Sequence, residues 1–436
     1  MTRPQTLSSP YFEDGFLPSQ PAVSRLPSKW DPWEGILSEA TSRLGLHSLP
    51  SPDGIPELEE WRDSVRKARI HPHHIRLITL TPTLMIPTVV SPNLQSPQMP
   101  LLPTQELCDN PPVLLRARQV LAFALHFYIH SIPKPSPTVI HIPPSLSIPL
   151  RAVSDQLGLP PICTYSDTIC YNYSMSGAVN SPEDFSIHST FSSTPDEVHF
   201  YRTQAMIEYR GARAMPLMKS IISAVNISCL GPVSAHLDQL VNVVDELTGI
   251  LTNVRTDCDP AVFYNQIRVW FPGGKLVYDL EDGGSSEEEW MGSSAAQSSI
   301  VQALDAFLGI EPLTHKPQEK YDVQSSDGSK MAFLARMRLY LPADHRAFLE
   351  QLSRFGQRMR ALILDHPNWE QAAETIGAYN RVIDAMRRFR SGHIRVVALY
   401  VTAQQRNGEK LGGTGGTSGV PFLKSIRDQT AKGRME

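Results

Sequence analysis

The stretch RFRSGHIRVVALYV, residues 388–401, decides how the chain folds. Its apolar side chains do not alternate, as those of a half-buried strand would. Met386, Phe389, Val396, Val397 and Tyr400 recur instead at helical spacing, so the segment reads as a helix with one apolar face. His393 falls on that same face. The pattern begins near Trp369 and runs to about Ala403, long enough to be the spine of a helical bundle.

Working outward, the second half of the chain repeats this period. Helices are expected over Pro195–Val225, kinked at Pro216; Pro232 to about Arg255; Asp259 or Pro260 through Trp270; Ser294–Leu308; and Met331 to about Asp365, in two pieces around Pro342. Val277–Asp282 suggests a small hairpin strand, the Gly/Ser/Glu run at 283–289 a solvated loop, and the residues after Ala403 a Gly-rich tail. The 37 Pro are concentrated in the first half, which should therefore be short helices with rigid connectors. The expected fold class is all-α. A small Pro-rich helical domain would span 1–190, with 1–30 loose, and a large helical domain would span 191–436.

Composition narrows the possible functions. A length of 436 residues suits two domains. A formal net charge of −4 with 19% charged residues supplies no basic field for nucleic acid or anionic lipid. The five Cys show neither CxxC nor zinc-ligand spacing, so they read as reduced thiols. The N-terminal residues have no signal-like apolar core, and the apolar run Val113–Ile132 carries Arg116, Arg118, Gln119 and two His. It suits a buried helix better than a bilayer span. A soluble, cytoplasmic monomer that touches neither membrane nor nucleic acid is the expectation.

Most chemistry-bearing motifs have bland readings. HPHH (71–74) is interrupted by Pro72 and lacks a completing ligand; DHP (365–367) and ADHR (343–346) look like turns and caps; GxSxG is absent. GGTGGTSG (412–419) lacks the Lys of a phosphate-binding loop, but its glycines suit either a mobile ligand-covering loop or a plain tail. His393 holds more interest. A lone His on an apolar stripe is more often a satisfied core residue than a ligand. Against that, Arg390 lies one turn earlier, Gly392 is expected to clear space for something flat, and bundles often build cofactor sites in their cores. One His and one Arg holding a flat anion suggests haem with a proximal imidazole. In AVFYNQIRVWFPG (261–273), Arg268 among aromatics calls for an anion, either a salt-bridge partner or a substrate carboxylate. In GSSAAQSSIVQALDAFLGI (292–310), small residues would let backbone approach a ligand, and Asp305 could pair with Arg390.

GSSAAQSSIVQALDAFLGI, MRLYLPADHRAFLEQL, RFRSGHIRVVALYV and GTGGTSGVPFLKSIRDQT, in this order, resemble the signature stretches of the indoleamine 2,3-dioxygenase family. FYNQIRVWFPG and LGLPPICTYSDTICYNY match it too, and SKWDPWEGIL fits loosely; the resemblance covers about 112–430. It implies an all-α fold that holds haem b in the large domain. The implied activity is insertion of both atoms of O2 across the C2–C3 bond of L-tryptophan's indole, sustained by an external reductant. The product would be N-formylkynurenine, in the kynurenine route of tryptophan catabolism and NAD biosynthesis. By the same resemblance, His393 would be the proximal ligand of the haem iron, Arg390 would serve a propionate, and Asp305 would belong to the polar network beside it. Arg268 would clamp the substrate carboxylate, Phe263 would pack on the indole, and Tyr165 would line the far end of its pocket. Ser294 and Ala295 would lie over the distal face, and Thr417 would meet the substrate from the Gly-rich loop.

Three positions depart from the family pattern. Gln204 stands where Ser or His is common, Tyr264 where a second Phe is common, and Ser293 in place of a second Gly. They leave two alternatives open: a haem enzyme that monooxygenates another indole, or a catalytically weak haem- or ligand-binding relative.

Overall fold

The computed structural model describes residues 9–44, 56–66, 99–132, 139–175, 177–310, 333–405 and 419–436. HPHH and Thr417 lie outside them. In the first half, α1 is Tyr11–Asp14, α2 Asp31–Leu44, α3 Pro56–Arg66, α4 Pro111–Ser131 and α5 Pro144–Leu157. α4 starts on Pro111, where a missing N–H costs nothing, and is buried on nearly every side. No helix among the described residues is long and apolar enough to cross a membrane.

The charges inside α4 are matched. Arg116 makes two bonds to Glu34, at 2.7 and 2.8 Å. Arg118, fully buried, makes two to Asp167, at 2.9 and 3.0 Å, and also donates to the Ile162 carbonyl. This pair holds the segment that carries Tyr165 and Thr168. Asp167→Asn keeps the volume but leaves Arg118 uncompensated, so urea unfolding should show a loss of about 3–5 kcal/mol. An unchanged midpoint would contradict that account.

The second half contains α6 (Pro195–Gly211), α7 (Ala214–Asn226), α8 (Val233–Asn253), α9 (Pro260–Val262), α10 (Ser299–Phe307), α11 (Phe333–Arg338), α12 (Ala343–Leu364), α13 (Trp369–Tyr400) and α14 (Val420–Lys432). α8 and α13 form the central pair. The stripe Leu237, Leu240, Val244, Leu247 and Leu251 on α8 shares a buried core with Val382, Ile383, Met386 and Phe389 on α13. Asp238–Arg381 and Asp245–Arg388, each at 2.8 Å, tie the two helices outside that core. A second core gathers α2–α5 with residues from Val254 to Tyr278.

The all-α expectation holds, with local corrections. The helix expected to kink at Pro216 breaks earlier, between Gly211 and Ala214. Pro216 is the third residue of α7, where its absent N–H has no intrahelical partner to lose. Ser294–Leu308 is not one helix. Ser294 caps a 3-10 turn over Ala295–Gln297, and Ser298 then caps α10.

Of the run at 283–289, only Gly283 and Gly284 lie in a turn; the rest is strand. Ser285–Trp290 (β3 of a small sheet) pairs antiparallel with Gly274–Asp279 (β2), which lies parallel to Ile140–Ile142 (β1). The neighbouring backbone, with Arg151 bonded to Glu288 at 2.6 Å, makes a strand of a sequence with no apolar alternation.

The residues at 420–432, read as tail, form α14 with Ile426 and Thr430 buried. From residue 10 onward, the segment expected to be loose is packed. Phe12 is fully buried, Phe12 and Phe16 meet Phe348 edge to face, and Tyr11 donates a hydrogen bond to Asp344. His366 makes turn contacts to the Asn368 and Ser228 carbonyls, and His345 meets Ser299 at 3.0 Å. All five Cys are free thiols.

Candidate active site

A cavity of about 390 Å³ lies where α6, α13, α14 and the segments around 165–169, 263–271 and 293–298 converge. That volume falls within the range of small-molecule sites. Of the ten site residues expected from sequence, nine line it: Tyr165, Gln204, Phe263, Arg268, Ser294, Ala295, Asp305, Arg390 and His393. The tenth, Thr417, is not described.

α13 delivers two of these, Arg390 and His393, by its helical period. His393 and Val396 face the cavity one turn beyond Phe389 and Arg390. The imidazole makes no hydrogen bond to another described residue. Burial, helped by the nearby Arg390 charge, pushes its pKa down to about 4. It is therefore neutral at physiological pH, with a lone pair to offer. Arg390 meets both oxygens of Asp305, at 2.5 and 2.6 Å, and donates to the Ile426 carbonyl at 3.3 Å. This buried pair forms one polar edge of the cavity.

Two glycines do other work than expected. A Cβ on Gly392 would sit 3.3 Å from Cγ2 of Thr252, so its smallness brings α13 against α8 and does not open ligand space. A Cβ on Gly292 would fall 1.6 Å from the Phe271 carbonyl oxygen, so that glycine serves a backbone crossing.

The second wall is aromatic. Asp259 caps α9 through the Ala261 and Val262 N–H groups, and the chain continues through a π-type turn (Phe263–Ile267) into a 3-10 turn (Arg268–Trp270). That change of pitch sets Phe263 and Arg268 on the cavity side. Phe263 packs against Phe200 (4.9 Å between centroids) and Tyr400 (5.5 Å). Arg268 is 7% exposed and lies 5.5 Å from the centroid of Tyr264, so the guanidinium is held by a ring face. Tyr264, a departure from the expected Phe, thus supports the arginine.

The third wall is polar. Tyr165 precedes a π-type turn over Ser166–Cys170, and its N–H donates to Gln297 Oε1 at 2.9 Å. Its phenol donates to Gln204 Oε1 at 3.4 Å. Burial and the neighbouring Glu208 push that phenol well above the usual range, so it remains a donor. Ser298 donates to Glu208, whose pKa burial pushes up to about 7. Ser293 and Thr168 share a hydrogen bond of 2.9 Å.

Sequence reading missed Thr168, Phe200, Phe271 and Phe422 as lining residues. Phe200 lies one turn before Gln204, and Thr168 three residues after Tyr165, so spacing could have found both. Phe422 reaches the site only because α14 docks on α13.

The donor set fits a haem held by one imidazole. His393 is the only imidazole among the described lining residues, and no described cluster of three or more His, Cys, Asp or Glu could hold a bare metal ion. Around it the lining includes Phe389, Val396, Val397, Phe422 and Ile426, with the Arg390–Asp305 pair at its edge for anionic side groups.

Comparison with known proteins points the same way. The sequence profile of the indoleamine 2,3-dioxygenase family matches residues 11–433. Indoleamine 2,3-dioxygenase acdA of Aspergillus candidus is 32% identical, over 76% of this chain and 84% of that protein. Human indoleamine 2,3-dioxygenase 2 is 31% identical, over 76% and 82%. 6-Hydroxytryptophan 2,3-dioxygenase fscD of Fusarium equiseti is 28% identical, over 95% and 94%.

Proposed function

The chain belongs to the indoleamine 2,3-dioxygenase family, a family of oxidoreductases acting on indoles, and from that premise we propose that it is a haem-dependent dioxygenase of L-tryptophan or a close indole relative. It adds both atoms of O2 across the indole C2–C3 bond, giving N-formylkynurenine from tryptophan itself. The observation that carries this reading is His393: a neutral imidazole with no hydrogen bond to another described residue, facing a cavity that also holds a buried Arg268.

Haem, when bound through His393, supplies the O2 chemistry. The chain's own residues bind, orient and exclude water. Arg268, steadied on Tyr264, takes the substrate carboxylate as a charge-assisted pair. Phe263 and Phe200 give the indole an apolar face, while Tyr165 and Gln204 bound its far end. Ser294 and Ala295 approach from the 3-10 turn before α10; Thr417, outside the described residues, is a substrate contact only by the family resemblance. Asp305 holds Arg390 in place to meet a haem propionate. Among the described lining residues no second imidazole stands near the substrate, so positioning carries much of the rate enhancement. In this reading the small domain is 1–190 and the haem-bearing domain 191–436, and the protein is a cytoplasmic monomer that draws on an external reductant.

The Fusarium relative is named for 6-hydroxytryptophan, so membership alone leaves the ring substituents open. The test is turnover of L-tryptophan by the haem-loaded, reduced protein under isotopically labelled O2. A ring-opened product with both oxygens labelled is expected. A hydroxylated indole with one label would make the enzyme a monooxygenase, and haem binding without turnover of any indole would make it a binding protein.

A further inference from the structure

Glu208 lies behind the polar wall of the cavity, buried on α6 one turn beyond Gln204. Ser298 donates to its Oε1, and the Tyr165 phenol and the Ile300 N–H stand beside the carboxyl. Oε2 is buried and meets no described partner in hydrogen-bonding geometry. A carboxylate oxygen in that position is costly, whereas a carboxylic acid can point its proton from it.

Burial pushes the group up to about 7, and no cation stands among the groups that act on it. The other ionisable groups facing it are Tyr165 and Cys170 from the π-type turn and its flank, and Tyr173 from the strand Tyr173–Met175. Burial holds all three far above neutrality. α10 and its cap face it with the Ser298 hydroxyl and the Ile300 N–H, which do not titrate. Within this cluster, charge near neutral pH changes at Glu208.

The proton count sets the direction of the bonds. With Glu208 neutral, its O–H donates to the Tyr165 oxygen, and the phenol's own proton goes on to Gln204 Oε1, at 3.4 Å. Gln204 is then held by its oxygen on the cavity wall. With Glu208 ionised, the carboxylate takes the phenol proton. Tyr165 has only one to give, so Gln204 loses its donor.

We propose that Glu208 is a proton-controlled latch on the substrate cavity: as a carboxylic acid it fixes Gln204 through Tyr165, and as a carboxylate it releases it. Glu208 is not among the lining residues and acts through the other two, as a positioning residue. The inference rests on the dioxygenase reading and adds to it a pH-dependent grip on the substrate. A wall already ordered costs less to organise on binding, so KM is low on the acid side and rises as pH passes through neutrality.

The experiment measures kcat and KM for L-tryptophan on the haem-loaded protein from about pH 6 to about pH 8, a window that spans the Glu208 transition. KM should rise by about 3- to 10-fold, the effect of one hydrogen bond, with kcat nearly constant. Glu208→Gln presents an N–H to Tyr165 and a carbonyl to Ser298 at every pH, so it should hold KM at the acid-side value throughout. Tyr165→Phe should hold it at the alkaline-side value. Infrared absorption gives a readout without turnover: a buried carboxylic-acid C=O band that fades over the same range, is missing in Glu208→Gln and changes frequency in Tyr165→Phe. A flat KM in the unaltered protein, the same rise in Glu208→Gln, or no such band at the acid end overturns the proposal. If the protein turns over no indole, the dioxygenase reading fails, while the band and its response to Tyr165→Phe still decide the latch.

Discussion

His393→Ala should give a folded helical protein that no longer shows the Soret band of a proximally ligated haem and has lost its turnover. Folding should survive because the ring faces the cavity and makes no hydrogen bond to another described residue, while Ala is the best helix former available to α13. The α8–α13 contact, built from leucines and from Gly392 against Thr248 and Thr252, is left intact. Turnover should fall by more than about 100-fold, beyond the 10- to 100-fold typical of removing a residue that merely orients a metal ligand. Added imidazole should restore part of the spectrum by filling the space left by the ring. The measurement is the absorption spectrum at stoichiometric haem, alongside circular dichroism. A variant that keeps the native spectrum and full activity would show that the iron is held elsewhere.

Arg268→Ala carries the second large effect. A guanidinium that meets a carboxylate in a buried site contributes about 2–4 kcal/mol when truncated, so kcat/KM for L-tryptophan should drop by about 30- to 1,000-fold. Its neighbours make the assignment checkable. Arg268 lies over Tyr264 and beside Phe263, so the truncation also removes packing and some loss of stability is expected. Tryptamine separates the two contributions, because it lacks the carboxylate and should lose little between the parent and Arg268→Ala. Equal losses on tryptophan and tryptamine would assign Arg268 to packing alone. Arg268→Lys should recover only part of the activity, since an ammonium cannot reproduce a planar fork held on a ring face.

Most residues that were legible in advance have their partners on the same helix period or in a contiguous motif; Asp305, 85 residues from Arg390, was matched to it by charge. His393 and Arg390 are one turn apart, and FYNQIRVWFPG carries Phe263 and Arg268 within six residues. Such spacings survive folding unchanged, so composition and period determined a predominantly helical chain and its central helix, while the family resemblance was needed to add Tyr165 and Gln204 to the residues of one cavity.

What local sequence could not decide was set by groups far away in the chain. Gly392 and Gly292 look like openings for a ligand, yet one is filled by α8 and the other by the Phe271 carbonyl. Ser285–Trp290 has the composition of a solvated loop and becomes a strand because β2 presents an unpaired edge to it. Phe12 and Phe16, in a Pro- and Ser-rich leader, are fixed because Phe348 and His345 offer them a surface. Thr168 and Ser293, 125 residues apart, become a single polar patch only when their segments meet. Periodicity specifies which face of an element is apolar. Which partner covers that face, and which buried polar groups retain a free lone pair or proton, depends on close packing between distant segments, and only the tertiary structure decides it.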